Sequence, residues 1–86
     1  MHYTIRFTIE AEVDLDFLYS SDRKLFARIL SKIEILEKSP REGKPLVGNH
    51  AGEFSLRIGD YRVVYQIDTS DNIIHILTIK HRKHVY

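Results

Sequence analysis

The sequence predicts an α+β domain of order β-α-α-β-β-β, with an N-terminal helical hairpin packed on one face of a mainly antiparallel sheet. Three observations predict it. Leu25, Ile29, Ile33 and Leu36 recur at spacings of 4, 4 and 3, one face of an amphipathic helix. Residues 53–79 hold three strand-like runs divided by short polar turns, the pattern of antiparallel hairpins. The helical patterns precede these strands as a block, which suits helices gathered on one side of a sheet.

Each element follows from local chemistry. Residues 3–8, Tyr-Thr-Ile-Arg-Phe-Thr, alternate apolar and polar, as a strand does. Thr8 can cap a helix whose first turn holds Glu10 and Glu12. That helix runs to about residue 19 and is expected to bury Ile9, Val13, Phe17 and Leu18. Ser20, Ser21 and Asp22 break the chain and supply the next cap. The second helix, with Phe26 and Leu30 beside its stripe, ends at Ser39-Pro40, because a proline disfavours a helical residue before it. Residues 40–52 are a loop punctuated by Pro40, Gly43, Pro45, Gly48 and Gly52. Strands follow at 53–58, 61–67 and 73–79, with Gly59-Asp60 and residues 68–72 as turns. Phe54, Leu56, Val63 and Ile76 are assigned to the core, and Tyr61 and Tyr65 to sheet packing.

At 86 residues the chain holds one domain, 1–86, large enough to bury a core without staples. It is 43% hydrophobic and 29% charged, ordinary for a globular protein. With no cysteine there is no disulfide and no thiolate metal site. His81 and His84, three apart at a strand end, point to opposite sides, so no metal or other cofactor is expected. No apolar run reaches a membrane span, and the N-terminus lacks a signal pattern, so a cytoplasmic location away from membranes is expected. The net charge of +1 is unevenly spread. Residues 1–22 carry one base against five acids, and residues 23–49 seven bases against three acids. Arg57 alternates away from Phe54, Leu56 and Ile58, Arg62 follows the turn, and His81, Arg82, Lys83, His84 and Tyr86 crowd the end. Arg57, Arg62 and Arg82 are expected on the sheet face opposite the helices. Guanidinium forks there suit phosphate oxygens.

These residues carry a family resemblance. Residues 52–67, Gly-Glu-Phe-Ser-Leu-Arg-Ile-Gly-Asp-Tyr-Arg-Val-Val-Tyr-Gln-Ile, resemble the central hairpin of RelE/ParE-superfamily toxins. The ending Ile-Lys-His-Arg-Lys-His-Val-Tyr is similar to that family's C-terminal motif, and Leu-Glu-Lys-Ser-Pro before Gly-Lys-Pro-Leu to its helix-to-sheet connection. The resemblance implies a type II toxin held in check by a cognate antitoxin, which touches DNA only through that antitoxin. In the RelE branch it further implies a metal-independent endoribonuclease that enters the ribosome and cuts mRNA. Such chemistry uses the RNA 2′-hydroxyl as nucleophile and needs proton transfer and cations at the phosphorane. The implied catalytic set is Arg57, Arg62, His81, Arg82, His84 and Tyr86. Arg62 would contact the scissile phosphate, Arg57 the charge beside it, and Arg82 the leaving group. Tyr86 would stack on a base or handle a proton, and His81 or His84 would act as acid or base. Where the family's more active members carry a lysine this chain has Ser55, and where others carry an acid it has Lys44. The alternatives are a ParE-like toxin that inhibits DNA gyrase without chemistry, and a relative that only binds its antitoxin. An antitoxin segment is expected over Arg62, Arg82 and Tyr86, with the second helix's apolar edge able to accept a helix.

Overall fold

The computed structural model describes residues 2–84, with His84 described by its backbone alone. Strand β1 (Thr4–Phe7) leads into helices α1 (Ile9–Ser21) and α2 (Arg23–Ile35). A two-residue strand β2 (Lys44–Pro45) precedes β3 (Glu53–Ile58), β4 (Tyr61–Asp68) and β5 (Ile73–His81). Single 3₁₀ turns lie at Gly48–His50 and Arg82–His84. The sheet order is β1-β5-β4-β3-β2, with β1 parallel to β5 and every other pairing antiparallel. Two helices on one face of a largely antiparallel sheet are the architecture expected from the residue patterns.

One residue joins the helices. The Asp22 N–H bonds the Leu18 carbonyl at 2.8 Å, closing α1, and its carboxylate accepts from Leu25 N–H at 3.1 Å, opening α2. The α2 stripe points inward: Ile29, Ile33 and Leu36 are buried, and Leu25 and Phe26 pack against the same cluster. The helix proper stops at Ile35, and a turn carries the chain to Pro40.

Helix α1 departs from expectation. Its buried residues are Ala11 and Leu18, while Ile9, Val13 and Phe17 are exposed. The cause is a long-range contact. Beyond Phe7 the edge of β5 has no strand beside it, and α1 takes its place. Thr8 Oγ1 donates to the Leu77 carbonyl at 2.7 Å and accepts from Ala11 N–H at 3.1 Å. Asp14 Oδ2 accepts the N–H of Ile79 at 2.9 Å, and Oδ1 accepts from Lys80 Nζ at 2.8 Å. With Asp14 turned toward β5, Ala11 and Leu18 roll inward, and Val13 and Phe17 roll out. Asp14→Ala is therefore expected to cost about 2 kcal/mol, since it strands a backbone donor and a lysine. Asp14→Asn keeps an acceptor for Ile79 and should recover much of that loss. Thermal melts, with hydrogen exchange of the Ile79 amide, check both.

The core is the sandwich of Ile29, Ile33, Leu36, Leu56, Ile58, Val63, Tyr65, Ile74, Ile76 and Ile79 with Ala11 and Leu18. Tyr65, fully buried, also ties down the long loop. Its hydroxyl donates to the Pro40 carbonyl at 2.8 Å and accepts from Gly43 N–H at 2.9 Å, and its ring stacks on Phe54 at 5.4 Å. Gly43 must be glycine for this approach: a Cβ would stand 2.6 Å from the Tyr65 hydroxyl and 3.0 Å from the Ser55 carbonyl.

Candidate phosphate-binding face

A tight turn sets the site. Ile58 pairs with Tyr61, leaving Gly59-Asp60 as a two-residue hairpin loop, and Gly59 takes φ +59°. Such loops need the left-handed conformation, which glycine adopts without steric cost. The register that follows places Arg57 directly opposite Arg62. A slip of one residue would send Arg62 to the helix side.

The face follows from alternation. Leu56, Ile58, Val63 and Tyr65 belong to the core, so Arg57, Arg62, Ser55 and Val64 lie on the side without helices. Directly opposed residues have Cβ atoms about 4.5–5.5 Å apart, and like charges so placed destabilise a sheet. Arg57 Nε donates to the Gly59 carbonyl at 3.2 Å, and the Arg62 side chain has no hydrogen-bond or ion-pair partner among the described residues. Two exposed guanidiniums held side by side, with no carboxylate on either, are a site for an anion. Beside them, Val64 is buried although it lies outside the core cluster, and Thr78 Oγ1 is buried with no hydrogen-bond partner among the described residues.

Arg82 lies at the edge of this face. Its backbone N–H bonds the Asp60 carbonyl at 2.6 Å, and its Nε stands 3.8 Å from Asp60 Oδ1. Both side chains are exposed, so the ion pair is worth little, but the backbone contact brings the chain end to the turn that carries the arginine pair.

His81 is placed elsewhere. It ends β5 opposite Tyr61, hence on the helix side, with the two rings edge to face at 5.4 Å. The structure therefore brings Arg57 and Arg62 together, sets Arg82 at the adjoining turn, and puts His81 across the sheet from them. The His84 side chain and Tyr86 lie outside the described residues.

Sequence reasoning missed Lys80. It pairs with Arg62 across the strands, completing a row Arg57-Arg62-Lys80 on the helix-free face. Simple alternation from Ile74 and Ile76 would send Lys80 inward. A bulge at Leu77, where Val64 pairs with Thr78 but Tyr65 with Ile76, reverses the parity. The adjacent apolar pair Ile76-Leu77 was the available signal. Lys80 reaches over the sheet edge to Asp14 and to Glu10, the latter at 3.3 Å, and the Asp14 bond, outweighing its partial desolvation, raises its pKa.

This fold has known counterparts. The family model for the ParE toxin of the type II toxin–antitoxin system parDE matches residues 5–86. Toxin RelG of Mycobacterium tuberculosis (strain ATCC 25618 / H37Rv) is 38% identical over 92 positions, spanning all of this chain and 98% of that protein. The crystal structure of the toxin–antitoxin complex RelBE2 from the same organism contains a chain 37% identical, with a TM-score of 0.82 over 95% of this chain and 100% of that one. The archaeal RelE–RelB complex of Pyrococcus horikoshii OT3 contains another, 28% identical, with a TM-score of 0.71 over 99% of this chain and 100% of that one. The family-model match over residues 5–86 and the 38% identity along the whole chain, in a fold shared with these toxins, make this chain a member of the RelE/ParE superfamily of type II toxins.

Proposed function

We propose that this toxin is a metal-independent endoribonuclease that cuts mRNA on the ribosome and is held inactive by a cognate antitoxin. The arginine pair is the observation that carries the reading: Arg57 faces Arg62 across the hairpin on the open face of the sheet. In the reaction the 2′-oxygen of the RNA bonds phosphorus as its proton leaves, and the bond to the 5′-oxygen breaks as that oxygen gains a proton. Negative charge peaks on the non-bridging oxygens of the phosphorane. Arg62, unengaged, binds those oxygens, and Arg57, fixed by the Gly59 carbonyl, neutralises the charge beside them. Lys80 borders the row with its ammonium held by Asp14 and Glu10, and Arg82 approaches from the turn toward the leaving group. The partner reading is supported by the relatives solved in complex with antitoxins.

Proton transfer falls to the chain end beyond Arg82. His81 packs against Tyr61 on the other side of the sheet, so the reading gives His84 and Tyr86 that role. His84→Ala is expected to lower the cleavage rate by about 10² or more, the usual contribution of a general acid or base, whereas His81→Ala leaves it near wild type. Single-turnover cleavage of ribosome-bound mRNA between pH 5.5 and 8.5 checks both variants.

The ParE family-model match supports a second reading, a toxin that inhibits DNA gyrase without chemistry of its own. Induced expression separates the two. Discrete cuts on a reporter transcript by primer extension, with plasmid supercoiling intact, support the nuclease. Intact transcripts with relaxed plasmid support the gyrase inhibitor and overturn the nuclease reading.

A further inference from the structure

The helix-free face carries a second polar row, away from the arginine pair. Phe7, Phe54, Tyr65, Ile74 and Ile76 pack in the core, so their neighbours Arg6, Glu53, Gln66 and His75 lie on the other side of the sheet. The register sets these four in line. Glu53 stands opposite Gln66, Gln66 opposite His75, and His75 opposite Arg6. Arg6 and Gln66 are exposed and His75 is half-buried. None of these three side chains has a hydrogen-bond or ion-pair partner among the described residues.

The row lies within reach of a strand of RNA held by the arginine pair. Gln66 is four residues beyond Arg62 on β4, about 14 Å at ~3.4 Å per residue. The short side chains of Ser55, Val64 and Thr78 lie between the two rows. Arg6 is two strands over from β4, about 10 Å at ~4.8 Å per strand. Charge gives the row a direction. Its β3 end is the Glu53 carboxylate, which stands 3.3 Å from His50 Nδ1, and its β1 end is the Arg6 guanidinium. Asp68, two residues further along β4, is engaged by the N–H groups of Ser70 and Asp71 in its own turn. A polyanion leaving Arg57 and Arg62 is therefore turned away from β3 and drawn across β4 and β5 toward Arg6.

Single-stranded RNA is recognised through phosphate contacts, through stacking of bases on aromatic planes, and through hydrogen bonds to base edges. The row holds one group for each: a guanidinium fork, an imidazole ring, and an amide with both donor and acceptor. We propose that Arg6, His75 and Gln66 form a second subsite that holds the mRNA a few nucleotides from the scissile phosphate and reads one base there. Arg6 binds a backbone phosphate, His75 supports the base, and Gln66 hydrogen-bonds its edge. The inference rests on the nuclease reading and adds to it a determinant of where the message is cut.

The test uses purified ribosomes programmed with mRNAs that differ one nucleotide at a time on either side of the scissile bond. Single-turnover cleavage is followed at varied concentrations of wild type, Arg6→Ala and Gln66→Ala. Arg6→Ala is expected to raise the half-saturating toxin concentration about 10-fold on every mRNA alike, as loss of a charged phosphate contact does. Gln66→Ala is expected to level the preference at one nucleotide position by about 5-fold or more and to leave the other positions as in wild type, as loss of a base contact does. Both free variants should melt with wild type, because neither side chain has a partner in the fold. Unchanged half-saturation and unchanged preference in the folded variants, while wild type cuts, would overturn the subsite and leave the nuclease reading standing. A weaker Arg6→Ala beside an unaltered Gln66→Ala preference would assign Arg6 to ribosomal RNA and equally overturn it. Uncut mRNA with wild type would overturn the nuclease reading and the subsite together.

Discussion

Arg62→Ala is expected to lower the rate of mRNA cleavage by about 10² or more while leaving the protein at least as stable as before. Removing one preorganised donor to transition-state charge costs about 2.7–4 kcal/mol, the equivalent of 10²–10³ in rate. Stability should move the other way. Arg62 stands directly across from Arg57, and such like-charge pairs act against the folded state by roughly 0.2–1 kcal/mol. The Arg62 side chain has no described partner whose loss would offset that relief. A residue that supports the fold would lose activity and Tm together; one that serves phosphate loses activity alone. Arg57→Ala should behave similarly but more mildly in stability, because it also gives up the bond to Gly59. Arg62→Lys is a sharper variant still. It keeps the charge and removes the planar fork, so a substantial loss in the lysine form identifies paired hydrogen bonds to phosphate. Single-turnover kinetics beside thermal melts read both quantities. The salt dependence of RNA binding should flatten by about 0.7 in slope for each phosphate that the variant no longer neutralises.

Tyr65→Phe carries the second large expected effect, on stability. The hydroxyl serves two main-chain groups of the loop before β3, accepting from Gly43 and donating to Pro40. Phenylalanine keeps the ring and its stacking on Phe54 and leaves both groups unpaired. At ~1–3 kcal/mol for an unsatisfied buried group, with the Pro40 carbonyl only part-buried, the loss is about 2–3 kcal/mol. In a domain of this size that is a fall in Tm on the order of 10 °C or more. A pH signature accompanies it. Burial raises the Tyr65 pKa above its ordinary 10.0, and the hydrogen bond from Gly43 opposes this only in part. A raised folded pKa means that the native state holds the proton more tightly than the unfolded chain. The associated stability is complete below pH 10 and is lost as pH climbs from there through the folded pKa. Denaturant titrations above about pH 9 should show this alkaline decline in wild type, and Tyr65→Phe should remove its Tyr65 component.

The parts of the fold that residue patterns revealed are those governed by neighbours in sequence. The α2 stripe reads directly because α2 has a single apolar face and its caps lie beside it. The β3–β4 hairpin reads directly because Gly59-Asp60 sets its register locally, and with it the pairing of Arg57 and Arg62. Two features resisted, and both depend on contacts far apart in the chain. The roll of α1 is set by Asp14 bonding Ile79, 65 residues away. Apolar residues on both sides of the helix left its inner face ambiguous, and the larger set, Ile9, Val13 and Phe17, proved to be the outer one. The placement of Lys80 and His81 depends on the bulge at Leu77, which exchanges their faces. The cation row was therefore legible in its two arginines and hidden in its lysine. His81 looked like a neighbour of Arg82 in sequence and stands on the other side of the sheet from the arginine pair.

The nuclease reading meets its most direct test on purified ribosomes programmed with a defined mRNA. Wild type and Arg57→Ala/Arg62→Ala are added in separate reactions, and the 3′ ends are mapped by primer extension. The arginine row predicts discrete cuts in the A-site codon by wild type, ending in a 2′,3′-cyclic phosphate, and their disappearance with the folded double variant. Equal cutting by both proteins would remove the arginine pair from the chemistry, and intact mRNA with folded wild type would contradict the nuclease reading itself.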